Sequence, residues 1–127
     1  MNKTIMLIVA IVLVIILMCV SVFEGSKGSV KPVLITPVTN LPIHTLGVSH
    51  GQSMEPFLHE GDVLLYQSIP FTDVKPGMVA VFKVEFYFIA HTVQSNNGAI
   101  LKCKGENSDN VEYVSDTSYV GVLVKKQ

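Results

Sequence analysis

The chain has 127 residues, enough for one domain of ordinary size and too few for a second. Nine lysines, no arginine and ten acidic residues leave a net charge of −1 with neither a basic block nor an acidic tail, so nucleic acid is not an expected partner. Two cysteines, Cys19 and Cys103, are too few for a disulfide framework or a four-ligand zinc site, and no metal or organic cofactor is expected.

The 49% hydrophobic content is uneven: 19 of the first 23 residues are apolar, and the residues beyond Phe23 have the composition of an ordinary soluble domain. From Ile5 to Phe23 the only polar residue is Ser21. As a helix this run extends roughly 28 Å, close to the hydrocarbon thickness of a bilayer, and it is apolar on every face. It exceeds the usual apolar core of a cleaved signal peptide, and no small-x-small pair precedes Glu24, so residues 1–23 are expected to be a transmembrane anchor in the lipid bilayer. Lys3 on one side, with Lys27 and Lys31 on the other, leaves the orientation undecided by charge.

Residues 24–45 carry Gly25, Gly28, Pro32, Pro37 and Pro42 among small and polar residues, which predicts a tether and extended lead-in. Residues 46–127 then read as an all-β domain. Runs at Leu46–Val48, Val63–Tyr66, Met78–Val84, Phe86–Val93, Ala99–Cys103 and Tyr119–Val124 are short and rich in Val, Ile, Phe and Tyr. Glu60-Gly61-Asp62, Lys75-Pro76-Gly77 and Asn96-Asn97-Gly98 separate some of them, the last being a hairpin signal. No 3.6-residue periodicity is sustained after Glu24, so the expected domain is a small, curved, barrel-like sheet without a substantial helix.

Ser53 stands in His50-Gly51-Gln52-Ser53-Met54-Glu55-Pro56, where a short strand runs into a turn. A serine so placed is held rigidly with its N–H exposed, as a nucleophile beside an oxyanion site must be; by itself it is more often an ordinary turn serine. His91 lies in Phe86–Val93, where alternation puts Ile89, His91 and Val93 on one face, so its ring needs a polar partner. A core histidine satisfied by the backbone is the plainer alternative. His50 is an odd three positions before Ser53 and points away from it in an extended chain, while His44 and His59 fall in lead-in and turn sequence.

In order along the chain stand Ser53-Met54-Glu55-Pro56, Gly61-Asp62-Val63, Lys75-Pro76-Gly77-Met78-Val79-Ala80-Val81-Phe82, Ala90-His91-Thr92-Val93, Lys104-Gly105-Glu106-Asn107 and Tyr119-Val120-Gly121-Val122. From about Leu46 to Val124 this series resembles the type I signal peptidases of the S26 serine protease family. It is closest in kind to the branch of the endoplasmic reticulum, archaea and some Gram-positive bacteria that uses a histidine base. The resemblance implies a membrane-anchored serine endopeptidase that removes signal peptides from exported preproteins as they leave the translocon. It implies Ser53 as nucleophile, His91 as base and a single-pass protein with its domain on the outer face of the cell membrane.

The resemblance also implies an acid shortly after the Lys-Gly-Glu-Asn box: Asp109 is preferred, with Glu112 and Glu106 as alternatives. It puts the substrate's small side chains against strand edges near Val48–Gln52 and Phe82–Ile89. Three positions depart from the family pattern. Gly51 and Gln52 precede Ser53 where many members have Ser-Gly, leaving the Ser53 N–H and the Gln52 amide as oxyanion donors. Thr92 follows His91 where arginine is common, and Glu106 replaces an aspartate. A lysine base drawn from Lys83, Lys102 or Lys104 is one variant; a non-catalytic relative that binds precursors or a partner without cutting them is another.

Overall fold

The computed structural model of the protein describes residues 3–11 and 30–126. Residues 3–11 are helical, and among the described residues no helix is long and apolar enough to cross a membrane. Most of the expected anchor, from residue 12 onward, lies outside the described residues.

Seven antiparallel strands form one curled sheet, a half-barrel: β1 (His44–Val48), β2 (Val63–Gln67), β3 (Val79–Val84), β4 (Tyr87–Asn96), β5 (Ile100–Lys104), β6 (Val111–Ser115) and β7 (Tyr119–Leu123), in the order β1-β2-β7-β3-β4-β5-β6. Six strands match expected apolar runs, with β1 starting two residues earlier, inside the expected lead-in. The strand that the apolar runs do not mark is β6, whose alternation is short and begins beside the polar stretch Glu106–Asn110. Among the described residues after 30, the only helical element is one 3₁₀ turn at Phe71–Asp73. The Asn-Gly turn forms as expected: Gly98 has φ 92° and Asn97 Oδ1 accepts from Ala99 N and Ile100 N.

The central strand β3 is buried on both faces, which is why Val79–Phe82 reads as a continuous apolar run. Ala80 and Phe82 pack with Val93, Leu101, Cys103, Val114 and Val122 on one face, while Val79 and Val81 pack with Met54, Leu58, Leu64 and Leu123 on the other. The lead-in is a strap rather than a loose tether. Val33 bridges Met78 and Ile35 bridges Val124 in parallel register, and the buried Gln67 side chain accepts from Val38 N while donating to Val38 O and Leu41 O.

Candidate active site

The turn that carries Ser53 leaves β1 and returns to β2 through a closed neck, with Ser49 N donating to Asp62 O and Gly61 N to Ser49 O. Inside it, Met54 and Leu58 are four residues apart across one turn, joined by Leu58 N to Met54 O at 2.9 Å, and both are buried in the core. Each contributes roughly 1.5–3 kcal/mol by its burial, so the residue next to Ser53 is nailed to the domain. Gly51 takes φ 87°, a backbone state open to glycine that turns the chain outward just ahead of the serine. Ser53 itself is exposed.

His91 is 6% exposed, on the open half of β4: pairing with β5 begins only at Thr92, so the outer edge of Tyr87–His91 carries no strand. Its Nε2 lies 2.9 Å from Ser53 Oγ, and its Nδ1 lies 3.0 Å from Glu112 Oε2. These bonds assign the tautomer that lets Nδ1–H donate to the carboxylate while Nε2 accepts from the serine hydroxyl. The three side chains thus form a nucleophile–base–acid line, able in chemical terms to deprotonate a serine as it attacks a carbonyl and to hold the imidazolium that results.

Ser53 and His91, paired in the sequence only by the resemblance, lie against one another. The acid against the ring is Glu112 and not Asp109, and register explains the correction. Ala80 faces His91 across β3 and β4, Val93 faces Cys103 across β4 and β5, and Cys103 faces Glu112 across β5 and β6, so Glu112 shares a sheet face with His91 two strands away. Asp109 is exposed in the loop before β6 and bonds to neither Ser53 nor His91. Glu106 Oε1 instead accepts from Thr92 Oγ1 at 2.9 Å. Among the described residues no lysine contacts Ser53 Oγ, and no three His, Cys, Asp or Glu side chains are grouped to hold a metal ion.

The Lys104-Gly105-Glu106-Asn107 segment meets the nucleophile turn directly. Asn107 N donates to Ser53 O at 2.7 Å and Asn107 Nδ2 to Gln52 O at 3.3 Å. A Cβ on Gly105 would stand 2.7 Å from Ser53 O and 3.1 Å from His91 Nε2, so the site closes only around a residue without a side chain. Among the described residues the Ser53 N–H has no acceptor, which leaves it available to a developing oxyanion; the Gln52 side chain is exposed and reaches no partner.

A groove of about 560 Å³ leads to the pair, bounded by residues 46–51 on one side and 87–91 on the other and floored by Met54, Leu58 and Leu64. Both walls are unpaired strand edges, since β1 is the end strand of the sheet. Phe82, expected along this wall, is buried beneath it and packs edge-on to the His91 ring. The other histidines are exposed: His44 lies against Tyr66, His50 is 4.0 Å from Glu60 and His59 is 3.9 Å from Glu55. Thr92, Gly105 and Asn107 stand out in the sequence only as members of a box; their contacts with the turn depend on pairing between distant strands. Comparison with known proteins supplies no relative, for no protein-family model, no curated protein and no solved structure matches the chain.

Proposed function

We propose that the protein is a membrane-anchored serine endopeptidase that removes amino-terminal signal peptides from exported preproteins. The observation that carries this reading is the line Glu112–His91–Ser53, with contacts of 3.0 and 2.9 Å, at the mouth of a groove walled by two free strand edges. An extended peptide laid between Leu46–Gly51 and Tyr87–Ala90 satisfies its backbone on those edges and delivers a carbonyl to Ser53. Ser53 Oγ attacks it while His91 Nε2 takes the hydroxyl proton, and the oxyanion meets the Ser53 N–H. His91 then returns the proton to the leaving amine, and water, deprotonated by His91, releases the acyl group. The order of motifs that resembles the type I signal peptidases supports the choice of substrate, and the apolar run Ile5–Phe23 supports an anchor that keeps the domain at the outer surface of the cell membrane.

The test is cleavage of a preprotein by the full chain in detergent beside Ser53→Ala and His91→Ala. Both substitutions abolish processing on this reading, and undiminished cleavage by both would overturn it. A non-catalytic precursor-binding role is the second reading, favoured by the lack of a hydroxyl at Gly51 to supplement the Ser53 N–H. It predicts precursor binding without a covalent intermediate, so an acyl group found on Ser53 by mass spectrometry excludes it.

A further inference from the structure

Gly105, Glu106 and Asn107 divide one task. The first packs under Ser53 and His91, the third bonds to the carbonyls of Ser53 and Gln52, and the second bonds to Thr92. Thr92 follows His91 in β4, is fully buried, and points to the opposite sheet face, toward Val79. Its hydroxyl stands 2.9 Å from Glu106 Oε1 and 4.0 Å from the sulfur of Met54, the residue after Ser53. One buried hydroxyl therefore touches the loop that clamps the nucleophile turn and the residue that anchors it.

We propose that Thr92 and Glu106 are positioning residues, a latch that holds the Gly105–Asn107 loop on the nucleophile turn and thereby sets the approach of Ser53 Oγ to His91 Nε2. The bond is charge-assisted, and among the described residues no other side-chain hydrogen bond ties the Gly105–Asn107 loop to β4. The two partners also account for one another. Thr92 offers a short donor and Glu106 a long acceptor, and in the fold they meet 2.9 Å apart.

The latch rests on Ser53 acting as a nucleophile, and its test is made separable from the choice of substrate. Full-length Thr92→Val, which keeps shape and removes the donor, is compared with Thr92→Ser, which keeps the donor, and with Glu106→Gln. The rate of Ser53 labelling by a fluorophosphonate probe reports the nucleophile without any preprotein. Thr92→Val is expected to slow labelling about ten-fold or more and Glu106→Gln, whose amide oxygen still accepts from Thr92 without the charge, by less, while Thr92→Ser stays within about two-fold; precursor processing by Thr92→Val is expected to lose kcat with KM unchanged. The crystal structure of Thr92→Val should show a longer Ser53 Oγ to His91 Nε2 separation. Parental labelling in Thr92→Val, with only its thermal stability lowered, overturns the latch, as does an unchanged separation. Failure of the parent to cut any preprotein while the labelling pattern holds overturns the substrate reading alone. If the parent itself is not labelled, the separation in Thr92→Val and Glu106→Gln decides.

Discussion

Glu112 reaches His91 across two strands of the sheet, its carboxylate 3.0 Å from Nδ1 of the ring. In register Glu112 faces Cys103, and Cys103 faces Val93, two residues along β4 from His91, so the long glutamate side chain meets the ring on the diagonal. Aspartate at this position falls short by a methylene, and an acid in the loop beyond β5 lacks the sheet's rigidity. Glu112→Gln is expected to lower kcat by a factor on the order of 10⁴, by favouring the wrong tautomer and withdrawing support from the imidazolium. Asp109→Asn is expected to stay within about two-fold, as an exposed substitution. Kinetics of the two variants on one precursor settle which acid serves.

Gly105 is the place where the least added bulk does the most harm. Gly105→Ala drives a methyl against Ser53 O and His91 Nε2, so the two reacting side chains part. The expected loss in kcat is on the order of 10² for a displacement near 1 Å. Thermal unfolding should move little in comparison, and a large fall in melting temperature with unimpaired kcat in the folded fraction contradicts this account.

Cys103 is a buried thiol whose pKa is pushed from its ordinary 9.0 to about 12, first by burial and then by the negative charge of Glu112. In the unfolded chain the thiol ionises near its ordinary value, so from about pH 9 to about 12 the unfolded state binds fewer protons and stability falls as pH rises. Tyr119, raised by burial and then by the charges of Asp116 and Asp73, adds in the same direction. Denaturant unfolding across this range should give a flatter pH dependence for Cys103→Ala than for the parent. The native thiol should also resist alkylation until the domain unfolds.

Gln67 is 1% exposed and makes three hydrogen bonds to the strap. Gln67→Leu keeps the volume and deprives Val38 and Leu41 of their partners, with an expected cost of about 2 kcal/mol, read as a lower denaturation midpoint at unchanged slope. Limited proteolysis should then cut between Val30 and Pro42 before it cuts the sheet.

Much of this architecture is legible in the residues. The apolar runs mark six of the seven strands, and alternation in β4 puts His91 on the core face with Val93, where the structure finds it. The same reasoning applies to β6, where Glu112 sits two residues before the buried Val114, yet the strand is hidden because an acid occupies the core side of a five-residue element. Asp109 stands out instead, being nearer the box in sequence. The strap is hidden for another reason. Nothing in Pro37–Pro42 announces a partner, and Gln67, at the end of an apolar run, looks like a solvated strand terminus until β7 covers it. Long-range pairing decides both cases, and no window of sequence contains it.

The strap also determines where mechanical load enters the domain. Tension on the chain ahead of Val30 meets Gln94 first, then Gly77 and Met78 through Val33, then the end of β7 through Ile35, and finally Gln67 of β2. These points lie in β4 and β2 and at the ends of β3 and β7, so a pull is shared out and not focused on one. The Ser53 turn is closed by its own neck at Ser49, Gly61 and Asp62, and Glu112 hangs from the far edge strand; neither lies on that path. Of the three residues in the Glu112–His91–Ser53 line, only His91 shares a strand with a strap contact, Gln94 in β4.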